Sequence, residues 1–249
     1  DLLGKVIITA EEINLKSDSS ITATGTNGGG EVLVGGDWQG SGTLKQATKV
    51  NMESGATIDA SATKNGDGGK VVLWSDVNNS ESQTIVNGTI KAEGGSESGN
   101  GGSIETSGKY LNIGEDVEVS TKALNGENGL WLLDPDDLWI VAGDHDGYNY
   151  TTSGTTTYES LPATTNGTVI VDSVNDTTSY YDGASQVRTD TIINALSNGN
   201  VTVLASGDIS YRAWDVNGDE TGYTNYWINS TSSNKLTLNA GSSIILGGH

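Results

Sequence analysis

Apolar and polar residues alternate with a period of two in short runs along much of the chain. Ile13 and Leu15, Ile58 and Ala60, and Ile90 and Ala92 share one face, with Thr, Asp, Glu and Lys on the other. That period predicts short, half-buried strands. Four stretches repeat one order: a strand, a glycine-rich turn, a second strand. They run Ile21–Gly25 with Gly28–Val34, Ile58–Ser61 with Gly66–Trp74, Ile90–Glu93 with Gly99–Thr106, and Val117–Ser120 with Gly126–Leu133. Val32, Val71, Ile104 and Trp131 align, at spacings of 39, 33 and 27 residues. Strands that hold while loops shrink are the mark of a solenoid. One coil cannot bury its own inner face. Coils stacked with about 4.8 Å between strands bury a continuous core. Paired glycines mark the corners, where positive φ is expected.

One helix is predicted, capped by Thr189 or Asp190, with Ile192, Ile193 and Leu196 on one face and Gly199 as its stop. The chain changes character after Asp134-Pro135, read as a strand exit because proline cannot continue a central ladder. The resulting division is coils over 1–142, a Tyr/Thr-rich excursion over 143–186, and resumed coils over 187–249. A second excursion is expected at about 211–234. Strand signals return at Val169–Val171, Val201–Ala205, Leu236–Ala240 and Ile244–Leu246. Both ends already read as strand, so the chain is expected to be a piece of a longer continuous fold. The expected fold class is an all-β solenoid with loop excursions outside it.

Charge narrows the function. Twelve Lys and Arg against 32 Asp and Glu leave a formal net charge of −20. Such a surface does not neutralise phosphates, which excludes nucleic acid and anionic membrane surfaces as partners. Apolar runs such as Val6–Ile8 and Leu130–Leu133 are too short to span a bilayer, so membrane insertion is not expected. There is no Cys, and hence no disulfide or thiolate chemistry. The acidity, the Ser/Thr/Asn/Gly richness and the missing Phe and Cys suit a secreted bacterial surface protein.

Four phrases follow one another in order: Gly66–Asp76 with its Gly-Gly-Lys-Val-Val-Leu-Trp, Asn87–Gly95, Gly99–Lys109, and Leu130–Pro135. Over about residues 55–140 the chain resembles the filamentous-haemagglutinin-like exoproteins of bacterial two-partner secretion, which include the high-molecular-weight adhesins. The match is weaker over 190–249. The resemblance implies a right-handed parallel β-helix, secreted or held at the outer surface of a Gram-negative bacterium. It also implies an outer-membrane secretion pore as partner during export. The family's Asn-Pro-Asn-Gly secretion motif is absent from this sequence, which places the segment downstream of the secretion domain.

Little here resembles catalytic machinery. The two histidines are His145, in the polar run Gly143–Gly147, and the terminal His249. Acidic residues are so numerous that paired carboxylates are expected by chance, and the chain is read as non-enzymatic, with no required cofactor. Asp215, Asn217 and Asp219 open like a calcium loop, but the glycine falls at its fourth position and Tyr226 at its twelfth. Calcium there competes with an Asx-type turn. Tyr148, Tyr150, Tyr180 and Tyr181 concentrate in the first excursion and form the candidate contact surface; the competing reading lays them over the coil wall with wet hydroxyls. The leading reading is a stiff rod and contact surface of a large adhesin, binding surface glycans, host or bacterial cells, or copies of itself. The alternatives are a carbohydrate-binding or carbohydrate-cleaving β-helix and a self-associating filament subunit.

Overall fold

The computed structural model describes residues 4–114, 117–141, 148–152, 155–159, 185–212, 228 and 230–247. Strands dominate. Three strand triplets come first: β1 (Lys5–Ile8), β2 (Glu12–Leu15) and β3 (Ser20–Thr22); β4 (Glu31–Val34), β5 (Lys49–Met52) and β6 (Thr57–Asp59); β7 (Lys70–Trp74), β8 (Gln83–Val86) and β9 (Thr89–Lys91). A fourth follows: β10 (Ser103–Gly108), β11 (Tyr110–Ile113) and β12 (Glu118–Ser120). Then come β13 (Leu130–Pro135), β14 (Leu138–Val141), β15 (Tyr148–Thr152), β16 (Thr155–Glu159) and β17 (Ser185–Arg188). Helix α1 (Thr189–Leu196) precedes β18 (Asn200–Ala205), β19 (Ile209–Arg212), β20 (Leu236–Ala240) and β21 (Ile244–Gly247).

The strands sort into three parallel sheets. The first runs β1-β4-β7-β10-β13-β18-β20, the second β2-β5-β8-β11-β17-β14-β19-β21, and the third β12-β9-β6-β3. A separate antiparallel pair joins β15 to β16. The first sheet's register puts Val6, Val32, Val71, Ile104, Trp131, Val201 and Leu236 in one ladder. Four of these are the residues that the repeat aligns. The next inward ladder holds Ile8, Val34, Leu73, Thr106, Leu133, Val203 and Leu238. Thr106 is the polar member because Trp131, 1% exposed, needs an acceptor; its indole Nε1–H donates to Thr106 Oγ1 at 3.1 Å. Ile13, Leu15, Ile58, Ala60, Ile90 and Ala92 are all buried in the same core.

The glycine corners have two causes: Gly28, Gly66 and Gly99 hold the positive φ expected there, at +151°, +85° and +123°, and the paired glycines after them do not. Gly29, Gly30, Gly68, Gly69, Gly101, Gly102 and Gly129 do not have positive φ. They stand where successive corners touch backbone to backbone. A Cβ on Gly69 would lie 1.9 Å from the Gly30 carbonyl oxygen, on Gly102 2.0 Å from that of Gly69, and on Gly129 2.0 Å from that of Gly102. Close stacking, not backbone handedness, excludes side chains from this column.

Two further expectations change. Helix α1 forms, but its N-cap is Arg188 and no side chain caps it; Asp190 sits in the first turn instead, where its charge complements the exposed amides. Ile192 and Leu196 are buried, whereas Ile193 is only half-buried. The helix contacts β12, β17 and β18, covering the β12 edge of the third sheet. Pro135 closes β13, opposite Gly108, and the ladder from β13 to β18 stops at Leu133, so its missing N–H breaks no pairing there.

The second sheet also departs from chain order. β10 and β13 are neighbours in the first sheet, yet β17 lies between β11 and β14 in the second. Its Ser185 Oγ accepts the Leu111 N–H at 3.0 Å, and Val187 is fully buried. Among the described residues, no helix is long and apolar enough to cross a membrane.

Candidate functional site

Strand alternation gives the first sheet a second face. Leu33, Val72, Glu105 and Leu132 share one ladder there, pointing away from the main core, yet all four are buried. The long connection from β4 to β5 contributes the cover. Its Trp38 and Leu44, with Val77, pack on Leu33, Val72 and Trp74 in a small cluster separate from the main core. Trp74 Nε1–H donates to Gln46 Oε1 at 2.8 Å, tying the connection to β7. Asp37 Oδ2 accepts the Leu44 N–H at 3.3 Å and closes the loop on itself. Gly40 has φ +59°, and a Cβ there would lie 2.4 Å from the Trp74 ring, so glycine answers both demands.

Glu105 is the chemically unusual member of this face. It is fully buried. One carboxyl oxygen accepts the Gln39 N–H at 2.8 Å and the other the Ser107 hydroxyl at 2.9 Å. Gln39 holds φ +50°, the one left-handed non-glycine backbone among the described residues. Burial pushes the Glu105 pKa up to about 7. The Gln39 and Ser107 hydrogen bonds and the Lys70 charge oppose that rise, while Asp134 adds to it. Asp134, opposite Ser107 in register, is itself pushed up to about 6 by burial. This face therefore carries two acids that hold or release a proton near neutral pH.

A groove of about 660 Å³ follows the glycine corners, lined by Lys5, Glu31, Asp67 and Lys70 beside Gly29, Gly68 and Gly101. Glu31 bridges Lys5 at 2.6 Å and Lys70 at 3.3 Å. The floor amides of Gly29, Gly68 and Gly101 already donate to the carbonyls of Asp67, Asn100 and Glu127. The floor is side-chain-free, and these three donors are committed to the ladder.

Of the residues proposed from sequence, Tyr148 and Tyr150 alone fall within the described strands. Tyr148 and Tyr150 lie on β15, opposite Glu159 and Thr157 of β16, and their side chains fall outside the described residues. Tyr180, Tyr181, Asp215, Asn217 and Asp219 lie outside them altogether. Among the described residues, no group of three His, Cys, Asp or Glu side chains is placed to hold a metal ion.

Sequence reasoning passed over Glu105 and read Asp134 as part of a strand exit, not as a buried acid. The signal was present: in the aligned repeats the residue after the inward one is Leu33, Val72, Glu105 and Leu132, one acid in an apolar column. No protein-family model matches this chain, and no curated protein matches it.

Proposed function

We propose that the three parallel sheets are walls of a right-handed parallel β-helix, and that the chain is a non-enzymatic rod and contact segment of a secreted or surface-held adhesin. The observation that supports the fold is the seven-membered ladder from Val6 to Leu236, over whose first four members each triplet of strands repeats the one before. Each unit hydrogen-bonds along its length to the next, which makes a stiff body. Loops carried on such a body meet a surface many times over, and weak contacts add through avidity. The phrase order over residues 55–140 supports a filamentous-haemagglutinin-like parent exported through an outer-membrane pore. The net charge of −20 keeps such a surface soluble and suits cations better than anions.

The test is binding of the purified chain to a glycan array and to cultured epithelial and bacterial cells, with and without calcium. Saturable binding, reduced in Tyr180→Ala and Tyr181→Ala, supports a contact surface in the first excursion. Binding that needs calcium and is lost in Asp215→Asn supports the second. Release of reducing ends from any bound glycan refutes the non-enzymatic reading. Silence on the array and on every cell type refutes the contact role and leaves the rod.

A further inference from the structure

The connection between β4 and β5 is held over the outer face of the first sheet at three places. Trp38 and Leu44 pack on Leu33, Val72 and Trp74. Gln46 takes the Trp74 indole N–H. Between these, the left-handed Gln39 turns its N–H onto the buried Glu105 carboxyl. The first two contacts are indifferent to pH. The third places a carboxyl where water is excluded, directly beneath the loop. A left-handed backbone at a non-glycine residue costs free energy, and it persists because its surroundings hold it.

We propose that residues 35–46 form a flap over this face and that the Gln39–Glu105 contact is its proton-dependent latch. As a neutral acid, Glu105 accepts the Gln39 N–H through its carbonyl oxygen, and its O–H donates to Ser107 Oγ in place of the hydrogen bond it accepts from that hydroxyl as a carboxylate. As a carboxylate, it must keep a charge in a dry site. The charged groups facing it act in both directions. Asp134 on β13 opposes a second negative charge. Lys70 on β7 favours the charge but is already bridged to Glu31. On the flap, Asp37 is a further acid and Lys45 is paired with Glu11. Lifting the flap lets water reach Glu105 and returns it toward ordinary carboxylate behaviour.

The sign follows from linkage. The closed flap binds the proton more tightly, so closure is favoured at low pH and weakens as pH rises. For one such group the ratio of open to closed rises by up to about tenfold per pH unit between the two pKa values, from about 4.5 to about 7, and then levels off.

The experiment uses the full chain with 5-fluorotryptophan, read by fluorine NMR from pH 5 to 8.5. Trp38→Phe and Trp74→Phe assign the two resonances that matter. Trp38 and Trp74 are expected to move together with a midpoint near neutrality, while the resonance of the deeply buried Trp131 stays fixed. Glu105→Gln keeps both hydrogen bonds without the charge and is expected to hold the closed resonances across the range. Asp134→Asn is expected to move the midpoint downward and to reduce its amplitude, because it removes the facing charge that raises the Glu105 pKa in the closed state. Trp38 and Trp74 resonances that stay constant in the wild type overturn the proposal. So does a Glu105→Gln protein whose Trp38 and Trp74 titrate as in the wild type. The wild-type titration decides the matter even if a variant fails to fold.

Discussion

Replacing Gly102 by alanine tests the claim that the corners of successive strand sets stand in backbone contact. The new Cβ would lie 2.0 Å from the Gly69 carbonyl oxygen and 2.6 Å from the Gly68 carbonyl carbon. An ordinary carbon–oxygen contact is over an ångström longer than the first of these. Both neighbours are backbone atoms, so neither can swing away as a side chain could. Ladder bonds fix the spot: Gly102 N–H to Ala92 O at 2.7 Å, Ser103 N–H to Gly69 O at 2.9 Å, and Leu130 N–H to Gly102 O at 3.0 Å. Overpacking of this kind costs about 1–3 kcal/mol. Relieving it by moving a strand weakens at least one buried backbone bond, about 1 kcal/mol more. The stiffer unfolded chain returns about 0.4–1 kcal/mol. The net expectation is a loss of roughly 2–3 kcal/mol, or a fall in Tm of roughly 4–12 °C for a chain of this size. Gly4→Ala is the control, since nothing lies within 4 Å of its added Cβ. Urea melts followed by circular dichroism compare the two. Equal stability of Gly102→Ala and Gly4→Ala would refute the contact argument.

Other expectations rest on single contacts. Thr106→Val keeps the shape of the core but strands the Trp131 indole N–H, and a loss of about 1–3 kcal/mol is expected in the same melts. Ser185→Ala removes the acceptor of the Leu111 N–H; hydrogen exchange at Leu111 should speed up by an order of magnitude or more while exchange in β4 to β6 is unchanged. The raised pKa values of Glu105 and Asp134 contribute stability that is complete below their unfolded values and lost as pH rises toward about 7 and about 6. The urea midpoint should therefore fall between pH 5 and 8, and Glu105→Gln should flatten most of that slope. Asp136 runs the other way: the Lys109 and Ser206 hydrogen bonds hold its pKa down, so its contribution is lost on acidification. Lys109→Met should remove that part of the acid sensitivity and leave the neutral-pH slope in place.

Much of the strand stacking was legible because the inward ladder is written in one residue type per repeat. Val32, Val71, Ile104 and Trp131 align in sequence and pair in space. The role of the glycines was harder to read. Composition shows that a Cβ is excluded, not whether φ or a neighbouring backbone excludes it. Helix α1 was visible from its apolar spacing, but its cap was not, since Arg188 lacks a capping side chain and contributes only its backbone. Glu105 was masked by a general feature of the chain: with 32 acids, one more draws no notice unless its column is aligned first. The insertion of β17 left no trace, because period-two alternation records which face a residue takes and says nothing of neighbour order. The tyrosines and the Asp215–Asp219 run had only local composition behind them, which places no side chain beside another.

That insertion governs the order in which the molecule is assembled. In the first sheet, each strand joins the one made just before it, so growth follows synthesis from β1 through β13. The second sheet is interrupted at β11. The strand that belongs beside it, β17, is made after β14, with residues 142–184 between them. Until Ser185–Arg188 arrives, β14 has an open and wrong neighbour in β11, at the same level where β13 already pairs with β10. By contact order, the first four strand sets are expected to form by local zippering, and the remainder to wait on bringing β17 back to β14 across residues 142–184, the slow kind of step in folding. A chain halted after residue 141 would settle into the direct β11–β14 pairing, and completing it would mean breaking those bonds first.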